Sequence, residues 1–303
     1  MVFILGIERS ATTWVSNILD MHSGTELYME PLSERTSRFK QWPNRFTKIE
    51  DLPGRAQYFQ EEFTYLRERN KFFFSRLSDA DLAWQLDFLI AEKLWRALPL
   101  ARDFFELNFN RKGTREYPSK RISTVDIIKE VRLNFNTSIL KYIHPNIKVV
   151  VVLRNYAANV QSVARQISKG NLSELAELLQ NHFHDINEQT IFDYWANSYN
   201  HLLKDLDEEK ISYFVLRQKD LIQSGEETID DLLSFLELSP EPSVYNYISR
   251  SNVSGAGKHN TKRSHNKILE QNSQAQNKLY PKIAEQIDTT DWHPVLHKEI
   301  IKL

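Results

Sequence analysis

Val2-Phe3-Ile4-Leu5-Gly6-Ile7-Glu8-Arg9-Ser10-Ala11-Thr12-Thr13-Trp14 stands at the start of the chain, and its reading decides the fold. The first residues are apolar at every position, not at every second one, as in a strand buried on both faces of a parallel sheet. A polar turn follows Gly6, and from Thr12 to Met21 the apolar spacing becomes helical. Strand, short turn and helix start together make a place for an anion. The first N–H groups of a helix lack intrahelical acceptors and lie at the positive end of its dipole. Ser10, Thr12 and Thr13 add hydroxyl donors, and Arg9 adds a permanent charge with a planar fork. The pattern G-x-x-x-x-G-K-[ST] of nucleoside triphosphate sites is not met, because Ala11 replaces the second Gly and Thr12 the Lys. A plain helix cap by Ser10 or Thr12 would use the same residues. Against it, the chain has only 8 Gly, and Gly6, Gly255 and Gly257 flank the two stretches best suited to phosphate contact.

The same grammar recurs. Val149–Leu153 and Tyr213–Leu216 read as strands, and Ala157–Ile167 and Glu226–Leu236 as the helices that follow them. Repeated strand-turn-helix units predict an α/β fold, a P-loop-like doubly wound parallel sheet flanked by helices. Residues 1–303 are expected to form a single domain. Within it, 32–120 is crowded with aromatics at helical spacing, from Trp42 and Phe46 to Phe104 and Phe105, and reads as a helical insertion on the acceptor side. The polar, basic stretch 250–276 reads as a loop or lid before a last helix.

Composition narrows the function. Lys and Arg total 39 against 40 Asp and Glu, so no global positive field exists to hold nucleic acid, and any anion site is local. With Cys 0, thiolate nucleophiles, disulfide scaffolds and Cys-bound metals are excluded. No apolar run approaches the roughly 18 residues of a membrane span, and no leader pattern is visible, so the expectation is a soluble, cytoplasmic protein. His182 and His184 do not share a helix face, and no metal is expected.

Arg9-Ser10-Ala11-Thr12-Thr13-Trp14 on a strand-to-helix turn resembles the 5′-phosphosulfate loop of sulfotransferases that use 3′-phosphoadenosine 5′-phosphosulfate (PAPS), with Ala11 where that family has Gly. The Arg form is similar to the carbohydrate and tyrosylprotein branches. Arg154 ends the valine-rich strand and Ser162 follows in the next helix, a pairing that resembles the family's 3′-phosphate motif. In isolation such an Arg would serve as a rim salt bridge. Ile127 to Leu133, with Lys129 and Arg132, resembles the Lys-x-Val-Arg-Leu segment of carbohydrate sulfotransferases, and Tyr213 to Leu221 resembles a structural strand exit of the family. Trp195 sits where the family often has a Trp and reads as core. Gly255 to Arg263 corresponds in position to the basic loop that closes over the nucleotide, with Lys258, Lys262 and Arg263 as its cations; a solvated basic loop would look the same.

The resemblance implies PAPS as co-substrate, no metal, and a nucleotide held by Arg9, Ser10, Ala11, Thr12, Thr13, Trp14, Arg154 and Ser162. It implies Arg9 as the cation facing the departing phosphate and Glu30, in Tyr28-Met29-Glu30-Pro31, as the base. Burial would raise the Glu30 pKa and a nearby Arg9 would lower it. A Glu30 that pairs with Arg9 or caps a turn is the structural alternative. The His of the cytosolic branch is absent, and His22 reads as a helix end suited to the dipole. The acceptor is expected to bear a hydroxyl, carbohydrate-like before glycolipid, small alcohol or peptide tyrosine. Ser33 to Lys48 mixes cations with Phe39, Trp42 and Phe46, which would suit a sugar or an anionic acceptor, and suits a helix with a solvated basic face and an aromatic core face slightly better. A P-loop kinase of a small metabolite and a catalytically silent nucleotide-binding module are the competing functions.

Overall fold

The computed structural model describes residues 1–30, 61, 125–144, 146–254 and 265–301. Apart from residue 61, the expected insertion at 32–120, and with it the mixed basic and aromatic stretch from Ser33 to Lys48, lies outside the described residues.

Five strands, β1 (Val2–Leu5), β2 (Thr25–Met29), β3 (Val125–Glu130), β4 (Lys148–Leu153) and β5 (Ser212–Arg217), pair in the order β2-β3-β1-β4-β5. Every pairing is parallel, with Leu5 of β1 level with Glu130 of β3 on one side and Val151 of β4 on the other. Side chains along a strand alternate between faces. Accordingly Phe3, Leu5, Val149, Val151 and Leu153 join one buried cluster, while Val2, Ile4, Val150 and Val152 join another. Both faces of the sheet are therefore covered, which is the doubly wound arrangement expected from strands with no polar parity.

Helix α1 (Thr12–Asp20) follows β1, and α2 (Leu140–Ile143) precedes β4. Helices α3 (Tyr156–Ser168), α4 (Ser173–Phe183) and α5 (Glu188–Glu208) separate β4 from β5. After β5 come α6 (Gln218–Gln223), α7 (Gly225–Leu236), α8 (Pro242–Ser254), α9 (His265–Thr289) and α10 (Pro294–Ile301). Helices α3, α5 and α9 supply the first cluster, where Trp195 meets Tyr156 edge-on at 5.9 Å and Tyr199 at 5.2 Å. Helices α1, α7 and α8 supply the second.

Two expectations change. Strand β3 was not foreseen from periodicity, because Asp126, Lys129 and Glu130 interrupt its apolar run; Lys129 and Glu130 are nevertheless buried, held by partners the linear pattern cannot display. The stretch 250–276 is not one loop: residues 250–254 close α8 and 265–276 open α9, with 255–264 outside the described residues. The reason is visible further along α9, where Ala275, Leu279, Ile283 and Ile287 recur every four residues and bury one face, so tertiary packing carries a polar sequence into a helix.

From β1 the chain passes to β2 on one side of the sheet, and β4 lies on the other. In open parallel sheets this reversal leaves a crevice at the carboxyl ends of the strands, where ligands bind. The turn after β1 sits there.

Candidate functional site

Gly6 begins the turn. A Cβ at this position would lie 2.8 Å from Ser10 Oγ and 2.9 Å from the Val152 carbonyl, so no larger residue fits without a shift. Arg9 and Ala11 both have positive φ, 66° and 78°. Left-handed residues set two apart curl successive N–H groups into a concave nest for anions. Ala11 adopts this conformation without glycine's freedom, at a cost of about 1–2 kcal/mol. It stands at the Ncap of α1, where no side chain caps the helix. The capping alternative therefore fails for Ser10 and Thr12. Among the described residues, the backbone N–H groups of Arg9, Ala11, Thr12 and Thr13 have no acceptor.

The candidate ligands divide by direction. Ser10 was expected to offer a hydroxyl to the ligand, but it is wholly buried and its Oγ donates to the Ile7 carbonyl at 2.7 Å; the hydroxyl shapes the turn instead. Thr12 is buried, with its Cγ2 facing Gly6, and the half-buried Thr13 keeps its hydroxyl without a partner among the described residues. Trp14 is half-buried and packs on the α1 side of the core.

Arg9, Arg154 and Ser162 come together. Arg9 Nε donates to Ser162 Oγ at 3.2 Å across 153 residues of sequence, and Arg154 Nη1 donates to the Arg9 carbonyl at 2.9 Å across 145. Arg154 extends from the end of β4, and Ser162 lies on α3, whose N-terminus is capped by Asn155. Desolvation of the guanidinium, followed by the like charge of Arg165 one turn beyond Ser162, pushes the Arg9 pKa below the usual arginine value. The Arg9 side chain as a whole is nonetheless exposed, so the like charge is the informative part. No carboxylate pairs with Arg9 among the described residues. An anion set at the turn would relieve that repulsion.

Glu30 follows β2 at the same edge of the sheet, separated from the β1 turn by strand β3, roughly 10 Å at ordinary strand spacing. Its φ is 44°, and its N–H donates to the Lys129 carbonyl at 2.7 Å. Lys129 Nζ donates to one carboxylate oxygen, and Arg132 Nη1 to the other at 3.2 Å. Arg132 also forks onto Glu174 of α4 at 3.2 and 3.1 Å and approaches the buried Glu130 at 3.4 Å. Desolvation alone would raise the Glu30 pKa, but Lys129 and then Arg132 outweigh it, leaving a value of about 2. The lowering expected from Arg9 thus comes from Lys129 and Arg132. Glu30 is an ionised carboxylate throughout the neutral range, able to accept a proton but weakly basic.

Other sequence candidates lie elsewhere. Lys258, Lys262 and Arg263 are outside the described residues. His22 is buried at the far end of α1, with Nε2 on the Ser239 carbonyl at 2.9 Å and Nδ1 accepting from the Gly24 N–H, so it is a structural residue. Trp195 is core. The motif reading passed over Asn134, Asn159 and Arg165. Asn159 and Arg165 flank Ser162 at one-turn spacing, so the face of α3 was the available signal. Among the described residues no cluster of metal-binding side chains occurs and no helix is long and apolar enough to cross a membrane.

A family model described as the sulfotransferase family matches residues 2–242. No curated protein matches the chain. Solved structures that resemble it include the sulfotransferase domain from the curacin biosynthetic pathway, at 16% identity and TM-score 0.49, with 96% of this chain and 98% of that chain covered. Sulfotransferase STF9 from Mycobacterium avium has 13% identity and TM-score 0.43, covering 96% of this chain and 77% of its own. Sulfotransferase STF1 from Mycobacterium tuberculosis H37Rv has 14% identity and TM-score 0.41, covering 90% and 76%.

Proposed function

The chain belongs to the sulfotransferase family, and from that membership we propose that it moves a sulfuryl group from PAPS to an acceptor hydroxyl, carbohydrate-like in kind. One observation carries the choice of donor: Arg9 is joined by hydrogen bonds to Ser162 and Arg154, each more than 140 residues away, beside a turn whose Arg9, Ala11, Thr12 and Thr13 N–H groups have no acceptor among the described residues. Those N–H groups and Arg9 suit the 5′-phosphosulfate. Arg154 and Ser162 suit the 3′-phosphate, which sets PAPS apart from AMP-like nucleotides. The residues present therefore fit this nucleotide, and Lys258, Lys262 and Arg263 are proposed to close over it.

In the proposed transfer an acceptor oxygen attacks sulfur in line. Its proton passes to the Glu30 carboxylate, the new S–O bond forms, and the bond to the 5′-phosphate breaks with its electron pair left on the phosphate oxygen. Arg9 and the N–H nest stabilise that growing charge. Guanidinium stays protonated, so Arg9 acts as a fixed charge and donates no proton. Lys129 and Arg132 hold the Glu30 carboxylate in place at the cost of basicity, so orientation is its main contribution.

Calorimetric titration with 3′,5′-adenosine bisphosphate and with 5′-AMP tests the donor. The bisphosphate should bind more tightly, and Arg154→Ala should remove about 1.5–3 kcal/mol of that binding. Equal affinities for the two nucleotides would overturn PAPS as the donor. Transfer of labelled sulfate from PAPS across a panel of sugars, alcohols and peptide tyrosine then reads the acceptor.

A further inference from the structure

Four consecutive carbonyls of the β1 turn are drawn back by side-chain donors. Asn134 Nδ2, just beyond β3, donates to the Gly6 carbonyl at 3.1 Å. Ser10 Oγ takes the Ile7 carbonyl at 2.7 Å, and Asn159 Nδ2 on α3 takes the Glu8 carbonyl at 3.0 Å. Arg154 Nη1 takes that of Arg9 at 2.9 Å. Asn134 and Asn159 are both buried, at 2% and 0% exposure. The Oδ1 atom of each is also buried and lacks a hydrogen-bond partner among the described residues. A buried amide oxygen left unsatisfied destabilises the fold. What these side chains contribute is therefore the donor end, directed at the turn.

A trans peptide unit holds its C=O and N–H in opposite directions. With the Glu8 carbonyl drawn toward buried Asn159, the Arg9 N–H is directed to the other, open side of the turn. A peptide flip there would replace a donor by a carbonyl oxygen and set negative partial charge against a bound anion. We propose that Asn159 is a positioning residue of the anion site: it holds the Glu8 carbonyl toward the core so that the Arg9 N–H faces a 5′-phosphate or phosphosulfate. The Gly6 carbonyl held by Asn134, by contrast, belongs to a peptide unit whose Ile7 N–H is already donated to the Tyr199 hydroxyl at 3.5 Å. The inference rests on the reading of this turn as the 5′-phosphosulfate site.

The test compares two nucleotides by calorimetry, 3′,5′-adenosine bisphosphate and adenosine 3′-monophosphate, on the full chain. For Asn159→Leu, which keeps the bulk and removes the donor, affinity for the bisphosphate should fall about tenfold while that for the monophosphate stays unchanged. Asn134→Leu, which frees a carbonyl whose peptide N–H is already donated to Tyr199, should not discriminate between the two nucleotides. Asn159→Asp covers a leucine variant that does not fold: its loss relative to wild type should shrink as pH is lowered, because a protonated carboxyl again offers a donor to the Glu8 carbonyl. For the Asn159 variants, equal losses for both nucleotides, as from a general structural defect, would overturn the proposal, and so would no loss for either. A wild-type protein that binds the two nucleotides equally would overturn the phosphosulfate reading of the turn itself, a different failure seen before any variant is made.

Discussion

The turn after β1 and the end of β2 lie on the same rim of the sheet, yet they treat charge in opposite ways. Among the described residues, Arg9 at the turn has no carboxylate and the N–H groups of Arg9, Ala11, Thr12 and Thr13 have no acceptor, while Arg165 repels Arg9. Beside it, Glu30, Lys129, Arg132, Glu130 and Glu174 satisfy one another in a network of ion pairs. On the proposed function, a group that is to receive a ligand's charge is kept uncompensated, whereas a group that is to stay in one place is held by compensation. Low local dielectric strengthens the attraction within the buried network, whereas solvent screens the repulsion at the exposed Arg9.

The largest expected effect falls on the compensated side. Glu30→Gln should lower transfer by about 10²–10⁴-fold, the range for a positioned base, while nucleotide affinity in calorimetry is nearly unaltered. Unchanged turnover would remove Glu30 as the base and make the network purely structural. Arg9→Ala should cost roughly 3–4 kcal/mol of barrier, read as a fall in kcat/KM for PAPS. A loss confined to KM would mean that Arg9 binds the ground state and the transition state alike.

A smaller effect sharpens the contrast through pH. The folded-state pKa of Glu30 is held at about 2, below the ordinary 4.5, so the ionised form is favoured by folding. The stability this contributes is complete above the ordinary value and is lost as pH falls from about 4.5 toward 2. Acid unfolding curves of Glu30→Gln should lack this component. Lys129→Met removes the main cause of the lowering, so the acidic limb of its kcat/KM profile should move to higher pH; a limb in the wild-type position would place control of the carboxylate elsewhere. The smallest effect belongs to Ala11. Because its φ is 78°, Ala11→Gly should relieve strain and raise unfolding stability by about 0.5–1 kcal/mol in denaturant titration.

Much of this arrangement is legible in the residues themselves. Val2–Leu5 and Lys148–Leu153 carry apolar side chains on both parities, which marks strands with two covered faces, and the Ser-Ala-Thr-Thr run marks the helix start within a residue. The Arg154 and Ser162 pair lay in the expected order. Local pattern misled where partners are distant. Strand β3 hides behind Lys129 and Glu130, whose charges are tolerated in the interior only because Glu30 and the Val131 and Arg132 N–H groups meet them. The inward turn of Ser10 is a different case: its partner is a carbonyl only three residues back, which no motif records.

By itself the amino-acid order determined the class of fold and the strand-turn-helix start at Gly6 to Thr12, because hydrophobic period and helix-start chemistry act between near neighbours. Only the tertiary structure decided which donors remain available, which carboxylates are tied, and that Asn134 and Asn159 reach back to the turn. Those outcomes depend on parallel strands bringing together groups more than a hundred residues apart, and hydrogen bonds are too short-ranged and directional to be read from spacing along a chain.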